Sequence, residues 1–123
     1  MHALVVDDSR TIRAFLKEQL RSLGFEVTEA GDGLQALSSL KKMTEVDLVL
    51  VDWNMPEMDG LSFVRAVRAE SLYAALPMMM VTTNAELAQV SKALEAGVNE
   101  YIMKPFTTDI LREKLQLLGF LRS

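Results

Sequence analysis

Five short apolar runs punctuate the chain, and the stretches between them carry apolar residues every three or four positions. The runs are Ala3–Val6, Phe25–Ala30, Leu48–Val51, Met78–Val81 and Tyr101–Met103. Strands buried on both faces read as continuous apolar runs rather than alternating ones. The second run is mixed (Glu26, Thr28, Glu29), as expected of an edge strand with a wet side.

The intervening segments predict helices. After Ser9, a candidate N-cap, Ile12, Phe15, Leu16, Leu20 and Leu23 share one face, and Gly24 supplies a stop. Asp32 can cap a second helix with a buried stripe of Leu34, Leu37 and Leu40. Gly60 precedes a third, with Leu61, Val64 and Val67 facing inward. The fourth, about Ala85 to Ala96, is expected to bury Leu87, Val90 and Leu94 and to stop at Gly97. The last begins near Thr107 and buries Leu111, Leu115 and Leu118. A strand followed by a helix, repeated about five times, argues for a parallel sheet with right-handed crossovers. The expected architecture is α/β, a doubly wound (βα)5 sheet with helices on both faces. With no linker, repeat or low-complexity tract, residues 1–123 are expected to form a single domain.

Composition narrows the chemistry. Half of the 123 residues are hydrophobic (50%), enough for an independent core. The absence of cysteine excludes disulfides, zinc thiolates and thiol catalysis. A net charge of −4, from 13 Lys+Arg against 17 Asp+Glu, gives no bulk attraction for nucleic-acid phosphates. The apolar stretches fall short of the ~20 residues of a membrane span. No charged leader or cleavage site precedes the first strand. The expectation is a cytoplasmic protein with neither nucleic acid nor membrane as partner. Met78, Met79 and Met80 read as core filling. Leu117, Leu118, Phe120 and Leu121 leave two readings, a partner patch or a terminus folded back on the core.

Candidate chemistry gathers at strand ends. Asp7 and Asp8 close the first run, Asp52 closes the third, and Lys104 follows the fifth, before Pro105. Open α/β sheets bind ligands outside the carboxyl ends of their strands. Singly, each residue has a structural explanation: the acids can cap helices, and most lysines are simply exposed. Jointly, two adjacent acids exceed what capping needs, and like charges side by side call for a cation. Three acids and one lysine at one sheet edge suit a hard cation such as Mg2+ and a phosphoryl group. A carboxylate can attack phosphorus to give an aspartyl phosphate, provided the equatorial oxygens are neutralised. Thr82 offers a hydroxyl at the same edge, beside a possible capping role.

Asp7-Asp8, Asp52-Trp53-Asn54-Met55-Pro56 with Met58-Asp59-Gly60, Val81-Thr82, Tyr101 and Lys104-Pro105-Phe106 together resemble the receiver domains of two-component response regulators. The similarity spans essentially the whole chain. Within that family it looks closest to the single-domain chemotaxis regulators of the CheY type. That resemblance implies a flavodoxin-like fold with strand order 2-1-3-4-5, the order already known for CheY. It implies that Asp52 is the phosphoacceptor and that a histidine kinase is the donor. Mg2+ would be held by Asp8, Asp52 and the Asn54 carbonyl, with Asp7 acting mainly through water. Lys104, aimed by a cis peptide before Pro105, would pair with a phosphoryl oxygen. Thr82 would bond the phosphoryl group, and Tyr101 would swing into the vacated space. The output face would then be the fourth helix, fifth strand and fifth helix. The implied protein partners are a downstream target, with a flagellar motor switch, a phosphate sink and a relay as alternatives, and a separate phosphatase. Such a protein catalyses only its own phosphorylation and dephosphorylation.

This chain departs from the family at Thr83, where alanine or another small residue is usual, and at Asn84, where chemotaxis regulators commonly carry an acid. With Asn54, these positions flank the path of the attacking water, so the hydrolysis rate is expected to be altered. Two other classes compete. A haloacid-dehalogenase-type phosphatase is faintly mimicked by Asp52-x-Asn54, but that class lacks the Asp7-Asp8 pair, puts an acid two positions on and normally adds a cap domain for which this chain has no room. A receiver-like interaction module independent of phosphorylation is opposed by the intact Asp8, Asp52, Thr82 and Lys104 set.

Overall fold

The computed structural model describes residues 1–83 and 89–121. Its elements alternate along the chain: β1 (His2–Val6), α1 (Arg10–Ser22), β2 (Glu26–Ala30), α2 (Gly33–Lys42), β3 (Leu48–Asp52), α3 (Gly60–Arg68), β4 (Met78–Thr82), α4 (Val90–Ala96), β5 (Glu100–Met103) and α5 (Thr108–Leu117), with a short 3-10 turn at Ser71–Tyr73. The strands form one parallel sheet in the order β2-β1-β3-β4-β5. This is the flavodoxin-like arrangement that the resemblance implies. Each predicted strand is present, with ends shifted by a residue, and the shifts bring Asp52 and Thr82 into the strands themselves.

The sheet separates two cores. Leu4, Val6, Val49, Val51, Met78 and Met80 point to one side, against Ala36 and Leu40 of α2, Phe63, Val64 and Val67 of α3, and Ala93 of α4. Ala3, Val5, Leu48, Leu50, Met79, Val81 and Ile102 point to the other, against Leu16 and Leu20 of α1 and Leu111 and Leu115 of α5. The alternation follows from the two-residue period of a strand, with helices covering both faces. Met78, Met79 and Met80 are fully buried, as core filling requires.

Side-chain caps fix where helices begin. Ser9 Oγ accepts from Ile12 N (3.2 Å), Asp32 Oδ1 from Gln35 N (2.8 Å), Asp59 Oδ1 from Ser62 N (2.8 Å) and Thr107 Oγ1 from Ile110 N (3.2 Å). Each satisfies one of the amides a helix start leaves unpaired. Asp59 is thus the cap of α3, and Gly60 is its first residue rather than the one before it. Gly97 ends α4 at φ 121°, a backbone conformation suited to glycine.

The expected buried stripes need correction on four helices. Phe15 is 41% exposed, because Leu16 and Leu20 take the interior; its ring packs on Phe106 instead, 5.9 Å between centroids. Leu34 is 51% exposed, and Ala36 buries in its place. In α3, Leu61 is only half-buried whereas Phe63 is fully enclosed, because the helix packs between α2 and α4. Leu94 is 48% exposed, and α4 turns Val90 and Ala93 inward. Ala85 and Leu87, expected in that helix, lie outside the described residues. At the C-terminal end, Leu118, Phe120 and Leu121 fold back on the core beneath α5, with the Phe120 and Phe25 rings 5.5 Å apart. Leu117 remains outside that packing.

Candidate functional site

Strand register brings the polar ends together. Asp52 is paired with Val81, and Thr82 with Met103, so both polar residues lie at the carboxyl edge of the sheet. Lys104 follows directly, its N–H donating to Thr82 O at 2.7 Å. Asp7 extends β1 by one residue, its N–H donating to Ala30 O at 3.1 Å. The peptide bond between Lys104 and Pro105 is cis.

At this edge Asp7, Asp8 and Asp52 each offer a carboxylate oxygen within 4.8 Å of the others. Asp7 is buried and held on two sides: Oδ1 accepts from Ser9 N (2.8 Å), and the backbone carbonyl accepts from Arg13 Nη1 (2.6 Å). Asp8 is exposed. Asp52, 8% exposed, accepts at Oδ1 from Trp53 N (2.9 Å). Lys104 spans the pair, Nζ lying 3.3 Å from Asp52 Oδ1 and 3.4 Å from Asp7 Oδ2.

Electrostatics follow from this crowding. Burial, then the charge of Asp7, push the Asp52 carboxyl from 3.8 up to about 6, although Lys104 and the Trp53 amide pull the other way. Burial alone would lower the Lys104 ammonium, but Asp52 and Asp7 outweigh it and leave Lys104 raised. Three carboxylates face one ammonium, a deficit of two charges. A divalent cation balances that deficit, and an all-oxygen donor set of this kind fits Mg2+. The residues present therefore suit the metal.

The remaining predicted residues take varied positions. Thr82 is fully buried, and its Oγ1 donates to Thr83 O at 3.3 Å rather than pointing to Asp52. Thr83 is half-buried, and Asn54 is exposed on the loop after β3. Tyr101 is half-buried and packs against the core on the α3 and α4 side. Asn84 lies outside the described residues. Two supporting features lie outside the predicted set of site residues. Arg13 anchors the Asp7 backbone, and Gly60 N donates to Trp53 O (2.9 Å), folding the 53–59 loop back beneath Asp52. Glu57 in that loop has φ 66°.

A parallel sheet in this order, with an acidic cluster and a lysine outside its carboxyl edge, defines a flavodoxin-like α/β protein whose ligand site lies at the strand ends. Residues 3–116 match the family described as the response regulator receiver domain. The chain is 50% identical over 117 residues to the chemotaxis protein CheY homolog of Campylobacter jejuni, covering 94% of this chain and 90% of that protein. It is 46% identical over 119 residues to chemotaxis protein CheY1 of Helicobacter pylori, covering 96% of each. Among solved structures, the chemotaxis response regulator CheY4 of Vibrio cholerae superposes with a TM-score of 0.88 at 36% identity, covering 95% of this chain and 97% of that one. The chain belongs to the response regulator receiver domain family. It is a phosphorylation-activated signalling switch and not an enzyme in the usual sense, which removes the phosphatase reading. Among the described residues no helix is long and apolar enough to cross a membrane.

Proposed function

We propose that Asp52 accepts a phosphoryl group from a histidine kinase, with Mg2+ bound beside it, and that the resulting change in partner affinity serves chemotaxis. The observation that supports this most is the Asp7, Asp8 and Asp52 cluster spanned by Lys104. The chemotaxis names of the relatives supply the pathway. On this reading residues 1–123 form one receiver domain acting in the cytoplasm, with neither nucleic acid nor membrane as partner.

Transfer forms an oxygen–phosphorus bond at Asp52 and breaks the phosphorus–nitrogen bond of phosphohistidine, the imidazole nitrogen keeping the electron pair. Such a step needs little covalent help beyond in-line positioning and charge neutralisation. Asp8, Asp52 and the Asn54 carbonyl would hold Mg2+, which would supply charge neutralisation for phosphoryl oxygens, and Asp7 would contribute through water. Lys104, 3.3 Å from Asp52 Oδ1, supplies a second positive charge, and the Trp53 amide orients the Asp52 carboxylate. The chain catalyses its own phosphorylation and its own hydrolysis. Asn54, Thr83 and Asn84 tune the latter, so Asn84→Glu is expected to change the acyl-phosphate lifetime; an unchanged lifetime removes that assignment.

Output follows from Thr82 and Tyr101. Turning the Thr82 hydroxyl from Thr83 O toward the phosphoryl group opens space into which Tyr101 moves, remodelling the face of α4, β5 and α5. Inverting a 1:99 equilibrium takes ~5.5 kcal/mol of differential interaction. One or two charge-assisted hydrogen bonds at ~1.5–3 kcal/mol each supply much of that, and partner binding completes the shift. The partner is a downstream protein, a flagellar motor switch being the target class that the resemblance to chemotaxis regulators implies, and a phosphatase is a second partner.

Trp53 is the only tryptophan, and its amide touches Asp52, which makes its fluorescence the test. Mg2+ is titrated first, then beryllofluoride as a stand-in for the bound phosphoryl group. A saturable, Mg2+-dependent response that disappears in Asp52→Asn is expected. A flat signal, together with failure to incorporate acyl phosphate, would overturn the assignment in favour of an interaction module.

A further inference from the structure

Outside the acidic cluster, three side chains converge on the last strand of the sheet. Lys114 of α5 places Nζ 3.2 Å from Glu100 Oε1 and 4.6 Å from the centroid of the Tyr101 ring. The same Glu100 oxygen accepts from the Tyr101 backbone N–H at 3.0 Å. All three residues are half-buried, so the contacts are partly shielded from water.

The two faces of the sheet make this arrangement informative. Tyr101 is in register with Met80, and its ring packs on the α3 and α4 side. α5 covers the opposite side, through Leu111 and Leu115. Lys114 therefore reaches the ring only by passing round the free edge of β5, where the ring itself must stand. Glu100, one residue before Tyr101, points to the α5 side by strand alternation and steers the ammonium there. A cation over an aromatic face is attracted by the ring quadrupole, more strongly when water is excluded.

We propose that Lys114, steered by Glu100, latches Tyr101 at the outer edge of the sheet and so sets the threshold at which phosphorylation activates the switch. The proposal rests on the role of Tyr101 given above. Thr82 lies on β4, inward of β5, and its hydroxyl is turned to Thr83 O, so the latched ring accompanies a disengaged Thr82. Inward movement of the ring toward Thr82 carries it away from a lysine that approaches from outside. The latch interacts with one position of the ring and not the other, which is what a ligand-linked equilibrium requires of any group that biases it. Lys114 is thus a positioning residue for the switch and touches no reacting atom.

The test is the beryllofluoride titration of Trp53 fluorescence in saturating Mg2+, run on the wild-type chain, Lys114→Met, Lys114→Gln and Lys114→Arg. Each is repeated in a Tyr101→Leu background. The neutral variants are expected to lower the half-saturating concentration roughly three- to tenfold, the range a partly shielded cation–ring contact permits. Lys114→Arg, which keeps a cation over the ring, is expected to stay within about twofold of wild type. In Tyr101→Leu the difference between Lys114 and its neutral variants is expected to vanish, which a merely structural role of Lys114 would not produce. Neutral variants indistinguishable from wild type overturn the latch, as does a shift that survives without the ring or one that Lys114→Arg shares. In those cases the wild-type response still stands. A wild-type chain that gives no response at all overturns the phosphoacceptor reading itself, and the latch with it.

Discussion

Gly60 and Asp52 meet backbone to backbone: a Cβ on Gly60 would run into the Asp52 carbonyl oxygen, and its nearest other neighbours are Asp52 C and Trp53 Cα, at 3.1 and 3.2 Å. The contact closes the 53–59 loop and seats the start of α3 directly under the acidic cluster. No flexible side chain lies between them to yield. Gly60→Ala is therefore expected to destabilise the chain by about 1–3 kcal/mol, the usual cost of overpacking, and to displace Asp52. Urea unfolding reads the first effect. A weakened Trp53 fluorescence response to Mg2+ reads the second.

Asp52 makes stability depend on pH in an unusual direction. Its carboxyl is raised from 3.8 to about 6, so between those values the folded chain holds a proton that the unfolded chain has released. Stability consequently falls as pH rises through that window, and the full penalty applies above it. Allowing for solvent at the site, a shift of this size corresponds to on the order of 1–2 kcal/mol. In metal-free buffer at pH 7–8, Asp52→Asn is expected to be more stable than wild type, with the difference fading toward pH 4. Mg2+ should raise the stability of wild type more than that of the variant. Denaturant titrations across pH, with and without the metal, check both statements.

Glu57 holds a left-handed backbone, φ 66°, that side chains with a Cβ adopt at a cost. Glu57→Gly is expected to stabilise the chain by roughly 0.5–1 kcal/mol, the scale of that strain less the extra chain entropy of glycine. A loss of stability in thermal unfolding would show that the Glu57 side chain has a compensating role.

Arg68 ties three segments at the opposite edge of the sheet. Its guanidinium donates to Gly97 O twice (3.0 and 2.8 Å), to Tyr73 O (2.6 Å) and to Asn99 Oδ1 (3.0 Å). Asn99 Oδ1 in turn accepts from Met78 N at 2.8 Å, so one side chain braces the starts of β4 and β5. Arg68→Met strips Gly97 O of its donors, while Tyr73 O and Asn99 Oδ1 keep the Leu76 and Met78 amides, and a loss of about 1–3 kcal/mol is expected. Arg68→Lys should recover only a minority of it, because an ammonium cannot reproduce the planar fork. Chemical denaturation of the three proteins decides the point.

The contrast between Arg68 and Asp52 shows what the amino-acid order makes legible. Asp52 stands out because a charge ends a four-residue apolar run, and the same rule exposes Asp7, Asp8 and Lys104. Arg68 bonds mostly to backbone carbonyls, which every residue possesses, so nothing at Tyr73 or Gly97 announces the contact. Helix faces fall between these cases. Apolar spacing marked α1 and α3 as amphipathic, but Leu61 or Phe63 could each complete a stripe, and only the seating of α3 between α2 and α4 selects Phe63. Phe15, Leu34 and Leu94 stay outside the buried faces for the same reason: a helix offers more apolar surface than its neighbours cover. Lys114 carried no signal, since its meeting with Tyr101 depends on how α5 overhangs the edge of the sheet.

The backbone of the strands separates the two cores, and neighbouring residues on a strand belong to different sides. Substitutions at Leu16, Leu20 or Leu115 on one side and at Phe63, Val64 or Val67 on the other share no side-chain partner, so their effects should add rather than compound. Such a molecule can drift in sequence on the α1 side while the side that carries Tyr101 stays fixed.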